Sequence, residues 1–138
     1  MYKLKIFFKI IIVPLILFCL GFWYCLWHIG SDGRLTEKEY YNTKISDKVN
    51  LVFYKNGCPY CRAGKSELLK QVKNSKIDTY FIDAETKQGI NIAKKYHVKY
   101  APTIVVIRDN DYSSFLYAHD KGKKIVVEKQ KIKEAFKK

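Results

Sequence analysis

Leu51-Val52-Phe53-Tyr54-Lys55-Asn56-Gly57-Cys58-Pro59-Tyr60-Cys61-Arg62 is the stretch on which the rest of the chain turns. Val49–Tyr54 is a compact run of apolar, β-branched and aromatic residues, and predicts a buried strand. From Pro59 to about Asn74 the residues Cys61, Leu68 and Val72 recur at i, i+7 and i+11, which places them on one face of a helix. Cys58 falls at the joint between the two. Pro59 is then the first helical residue, where its missing N–H costs nothing.

That position carries chemistry. A helix N-terminus offers free N–H groups and a partial positive charge, and both stabilise a thiolate, the reactive form of cysteine. Arg62 and Lys65 add positive charge close by, and Pro59 and Tyr60 set the surroundings. Cys61 lies one turn on, on the same face, so the two sulfurs can meet. Cys58 is read as the exposed nucleophile that forms a mixed disulfide, and Cys61 as the shielded thiol that resolves it. Three inert readings compete. A structural disulfide over so short a loop gains roughly 2 kcal/mol, against about 3 for a fifteen-residue loop. A zinc site needs two more ligands, and the spacing of His97 and His119 gives no support, so no metal is expected. An idle reduced pair would oxidise outside the cell.

Outward from the motif, strands and helices alternate. Thr36-Glu37-Lys38-Glu39 is a capping box that opens a short helix through about Lys44. Ile77–Ile82 predicts a second strand, and Ile90–Tyr96 a helix with Ile92, Ala93 and Tyr96 inward. Thr103–Ile107 predicts a third strand. Asp109-Asn110-Asp111 reads as a turn into a fourth strand, Ser114–Ala118. Lys121–Lys138 keeps an apolar spacing (Ile125, Val127, Ile132, Phe136) whose split between strand and helix is open. Such alternation with short links means α/β, with helices on both faces of the sheet.

The first thirty residues read differently. Lys3, Lys5 and Lys9 are followed by residues 10–29 without an acid, Lys or Arg, which as a helix reach about 30 Å, the thickness of a bilayer's hydrocarbon core. Trp23, Tyr24 and Trp27 gather at the far end, where amphipathic rings favour the interface. A cleaved signal would end in small residues; Phe22-Trp23-Tyr24-Cys25-Leu26-Trp27 is bulky throughout. Cys19 and Cys25 are read as small apolar residues of this span. Residues 1–30 are therefore expected to be an uncleaved, single-pass anchor with its N-terminus cytoplasmic. The protein is expected in the cell membrane, with residues 31–138 forming one extracytoplasmic domain.

Over nearly all of residues 35–138 the chain resembles the thioredoxin family. The resemblance rests on Leu51-Val52-Phe53-Tyr54, Cys58-x-x-Cys61, Phe81-Ile82-Asp83 and Tyr100-Ala101-Pro102-Thr103. It implies a thioredoxin-like α/β fold, a central mixed sheet flanked by helices, here preceded by the transmembrane helix. It also implies a cis Pro102 packed against the active-site disulfide, with the backbone of Ala101 beside Cys58, where its N–H and C=O would pair with an extended substrate. No cofactor is implied beyond a redox-active Cys58–Cys61 disulfide. The departures matter too. Gly57 stands where thioredoxins carry Trp, and Pro59-Tyr60 is similar to glutaredoxin. Val52 occupies the position of the family's buried Asp, which leaves the base for resolution unassigned. With its anchor, the chain looks most like membrane-anchored thioredoxin-like accessory proteins of Gram-positive bacteria, including those encoded with bacteriocins.

The chain carries 26 Lys and Arg against 13 Asp and Glu. Outside a cell, and without an aromatic-basic motif, this excess does not indicate nucleic acid. It suits an anionic lipid or wall polymer, chiefly through Lys121–Lys138, or acidic substrates. The expected function is a membrane-anchored thiol–disulfide oxidoreductase acting on exported cysteine-containing proteins or peptides and served by a membrane redox partner. The competing expectation is a non-catalytic module of the same fold that docks an exporter or a secreted peptide.

Overall fold

The computed structural model describes residue 12 and residues 14–23 and 34–137. The chain divides into two units, Met1–Gly33 and Arg34–Lys138. In the first unit, residues 14–23 are helical and Leu15, Phe18, Phe22 and Trp23 are exposed. Among the described residues no helix is long and apolar enough to cross a membrane. The expected span over residues 10–29 lies in part outside the described residues, as do Cys25 and the linker at residues 30–33.

The second unit runs β1 (Leu35–Thr36), α1 (Glu37–Asn42), β2 (Lys48–Tyr54), α2 (Pro59–Asn74), β3 (Asp78–Asp83), α3 (Lys87–Lys95), β4 (Thr103–Arg108), β5 (Asp111–Leu116), β6 (Ala118–Lys121), β7 (Lys124–Val127) and α4 (Lys129–Ala135). Five strands form one mixed sheet in the order β1-β3-β2-β4-β5, and β6 pairs only with β7. β2 runs parallel to β3, with Leu51 opposite Tyr80, and antiparallel to β4, with Leu51 opposite Val105. Central and covered on both faces, β2 must be apolar without alternation, which is why it reads as a continuous run.

Each face has its own core. Val49, Leu51 and Phe53 pack with Tyr40 of α1, Tyr80, Ile82, and Ile92 of α3. Val52, Phe81 and Ile104 pack with Leu68 of α2, Tyr117, and Ile132 and Ala135 of α4. Asn50 is buried at the start of β2 without strain on the account: its Nδ2 donates to the Ala135 carbonyl at 2.9 Å, and Arg108 Nη2 donates to its Oδ1 at 3.2 Å.

The helix starts follow their caps. Thr36 and Glu39 form the expected capping box, the Thr36 N–H donating to Glu39 Oε2 at 2.8 Å. α1 stops at Asn42, two residues short of the expected end. α3 begins at Lys87 rather than Ile90, because Thr86 Oγ1 accepts from the Gly89 N–H at 3.0 Å and opens the helix a turn earlier. The fourth strand is also displaced. Asp109 and Asn110 adopt φ of +46° and +73°, the left-handed pair of a two-residue hairpin turn, so Asp111 already pairs with Arg108. β5 therefore ends at Leu116, Tyr117 stands between strands, and Ala118 opens the β6–β7 hairpin. Of the expected apolar stripe near the end, Ile132 and Phe136 are buried but Ile125 is exposed on the hairpin.

Candidate active site

Cys58 caps α2 from an extended conformation, with Pro59 in the first turn and no acid beside it. The Cys61 N–H donates to Cys58 Sγ at 3.2 Å, and the Cys61 thiol donates to the same sulfur at 2.7 Å. Both cysteines are free thiols, Cys58 partly accessible and Cys61 only 8% exposed. Burial pushes the Cys61 thiol up to about 11. The hydrogen bond to Cys58 acts in the same direction, while a Lys55 backbone bond and the Tyr117 hydroxyl oppose it. At neutral pH Cys61 therefore keeps its proton. The pair is asymmetric: one sulfur is reachable, and the other is withheld behind it.

Arg62 and Lys65 sit on the exposed side of α2. Tyr60 is half-buried, and its hydroxyl donates to Asp120 Oδ2 at 2.7 Å. That bond raises the Tyr60 phenol above its ordinary range, so it remains an O–H donor. The Ala101–Pro102 peptide is cis, as the resemblance implies, and Pro102 is buried. Its carbonyl accepts from the Tyr117 N–H at 3.3 Å. Beside Ala101 opens a groove of about 170 Å³, lined among others by Lys55, Ile90, Lys94, Val98, Lys99 and Tyr100. Tyr100 is 71% exposed. Lys55 lies three residues before Cys58 in the sequence, but neither cysteine lines the groove.

The two histidines weighed as ligands lie elsewhere. His97 follows α3 with φ of +56°, and its Nδ1 is 3.0 Å from the Tyr112 hydroxyl. His119 Nδ1 lies 3.4 Å from Glu128. Among the described residues no cluster of three or more His, Cys, Asp or Glu could hold a metal ion.

Two neighbours of the motif escape sequence reasoning: Tyr117, packed against α2 at Gly64, and Asp120, bonded to Tyr60. Tyr117 is 56 residues from Cys61 and reads as the inside of a strand. A signal did exist in Gly64, since a glycine within a helical pattern usually answers a packing need. A Cβ there would stand 2.6 and 2.7 Å from the Cδ2 and Cε2 atoms of Tyr117.

Comparison with known proteins agrees with this geometry. A family model described as a thioredoxin-like domain matches residues 39–111. No curated protein matches the sequence. Mitochondrial thioredoxin 3 from Saccharomyces cerevisiae is similar in fold, with a TM-score of 0.53 at 19% identity over 73% of this chain and 88% of that one. Thioredoxin O2 from Arabidopsis thaliana gives 0.56 at 17% identity, over 72% and 88%. A thioredoxin-like protein from Clostridium perfringens gives 0.54 at 23%, over 70% and 74%. With the family model covering more than half of its residues, the chain belongs to the thioredoxin-like family.

Proposed function

We propose that this chain is a membrane-anchored thiol–disulfide oxidoreductase that works outside the cytoplasm on exported cysteine-containing proteins or peptides. One observation carries the reading: the Cys58 and Cys61 sulfurs lie 2.7 Å apart at the start of α2, with only one of them shielded. In the reducing direction, the Cys58 thiolate attacks one sulfur of a substrate disulfide. A Cys58–substrate disulfide forms, and the other substrate sulfur leaves as a thiolate. Cys61 then loses its proton and attacks Cys58 Sγ. The Cys58–Cys61 disulfide closes, and the second substrate thiolate departs. Run backwards, the same steps oxidise a substrate dithiol. A membrane redox partner resets the pair.

The anchor is supported by the exposed Leu15, Phe18, Phe22 and Trp23 on a helical segment behind a basic start, since such a surface needs apolar surroundings. Lys55, Lys94 and Lys99 around the groove favour substrates with acidic residues near the reacting cysteine.

The test is trapping in membranes that carry the full chain. Cys61→Ala accumulates mixed disulfides between Cys58 and exported proteins; adding Cys58→Ala removes them. If Cys61→Ala collects no adduct and the wild type does not exchange with dithiothreitol, the docking-module reading replaces this one. The reduction potential then gives the direction: near about −270 mV the protein is a reductant, near about −120 mV an oxidant.

A further inference from the structure

The β6–β7 hairpin pairs with no strand of the main sheet, yet it is bonded to the motif. We propose that it forms a wall of the substrate site: Ile125 receives an aliphatic or aromatic side chain next to the substrate's reacting cysteine, and the lysines at the turn favour an acid close by. The proposal rests on the oxidoreductase reading above and narrows its substrate class.

The register of the hairpin decides which residues face the motif. Ala118 lies opposite Val127; Ala118 is buried in the core under α2, and Val127 packs against that core. Directly opposed residues share a face, and so do residues two apart along a strand. Asp120 and Ile125, the opposed pair two residues further out, therefore continue the face that Ala118 and Val127 begin. Asp120 settles where that face leads. Its Oδ2 accepts from the Tyr60 hydroxyl at 2.7 Å, and Tyr60 stands between Cys58 and Cys61. A lone exposed isoleucine is ordinary on a protein surface. Ile125 differs in its place: 40% exposed, it is the cross-strand neighbour of the residue that holds the motif, at a Cβ spacing of about 5 Å.

The wall is built before a substrate arrives. The Glu128 N–H closes the base of the hairpin on the Tyr117 carbonyl at 3.0 Å. Gly122, at φ of +66°, takes the first position of the two-residue turn. Tyr60 is half-buried against the same core as Val127. Binding therefore need not order this surface, which lowers its cost. Lys121, Lys123 and Lys124 at the turn are exposed, and none has an ion-pair partner among the described residues. In the step concerned, the Cys58 thiolate attacks a substrate sulfur, the substrate disulfide breaks, and its other sulfur leaves as a thiolate. The hairpin takes no part in that exchange of bonds; it holds the substrate in line for it.

The test uses the full chain in detergent with Cys61→Ala, so that only attack by Cys58 is read. Each probe is a short peptide whose cysteine carries a thiopyridyl group. Attack joins Cys58 to the peptide sulfur and releases thiopyridone, which is followed by absorbance. One peptide places leucine and glutamate beside its cysteine, a second has serine for that leucine, and a third has lysine for that glutamate. With the hairpin unaltered, leucine is favoured over serine about fivefold, and glutamate over lysine about fivefold at low salt. Ile125→Ser brings the leucine preference close to one, and Ile125→Leu restores it. Lys121→Glu with Lys124→Glu lowers the glutamate preference about threefold, the groove lysines holding the remainder. A preference that survives its own substitution overturns the proposal, and so does an equal slowing of all three peptides. If no peptide releases thiopyridone and dithiodipyridine also fails to react, Cys58 is not a nucleophile, and the oxidoreductase reading falls together with this one.

Discussion

The two faces of the sheet bury tyrosines in opposite ways. Under α1 and α3, the Tyr40 and Tyr96 hydroxyls lie 2.9 Å apart, and Lys95 Nζ donates to Tyr40 at 3.1 Å. The rings of Tyr41, Tyr80 and Tyr96 meet Tyr40 edge-on, with centroids 5.6 to 6.5 Å away. Burial and the Tyr40 bond push Tyr96 up to about 12. Under α2 and α4, Tyr117 is more deeply buried, and its backbone is pinned on both sides: its N–H donates to the Pro102 carbonyl at 3.3 Å and its carbonyl accepts from the Glu128 N–H at 3.0 Å. A buried hydroxyl is costly without a partner on either face. On the first face the partner is another hydroxyl, and the result is a locked, unreactive core. On the second the Tyr117 ring packs edge-on against α2 at Gly64, one turn beyond Cys61, so the core there bears on the helix that carries the cysteine pair.

Substitutions can break that contrast. Gly64→Ala has the largest expected effect, because a methyl group must displace the Tyr117 ring. Overpacking of this kind costs about 1–3 kcal/mol, read as a lower denaturant midpoint. Tyr40→Phe comes next. It leaves the buried Tyr96 hydroxyl without the Tyr40 oxygen, at about 1–2 kcal/mol in chemical denaturation, while disulfide exchange with dithiothreitol stays at the wild-type rate. A change in exchange kinetics in Tyr40→Phe would mean the faces are coupled. Tyr60→Phe is the mildest: its bond to Asp120 is on the surface, so the denaturation midpoint stays nearly where it was, and only the rate of Cys58 alkylation registers the loss.

The legibility of the molecule divides along similar lines. β2, α2 and the Cys58–Cys61 pair are readable because their determinants are local: an apolar run, a helical period, a proline at the first helical position. The cis Pro102 is reached by resemblance, since no local physics demands it. Strand limits near Asp109 are missed by a few residues because two left-handed residues suffice for the turn. Tyr117 and Asp120 are out of reach for a different reason. Gly64 and Tyr60, which they meet, are 53 and 60 residues away in sequence, and neither residue's neighbours hint at what lies across the fold.

The β6–β7 hairpin pairs with no strand of the main sheet, and it begins beyond residue 111, where the match to the shared family pattern ends. Tyr117 immediately precedes it and Asp120 lies within it. Changes at Asp120 can therefore reach Tyr60, inside the Cys-Pro-Tyr-Cys motif, without touching the pairing of β1 to β5. The ribbon is thus a lever on the rim of the motif: its inner residues Ala118 and Val127 are tied into the core, while Asp120 reaches out to Tyr60 between the two cysteines.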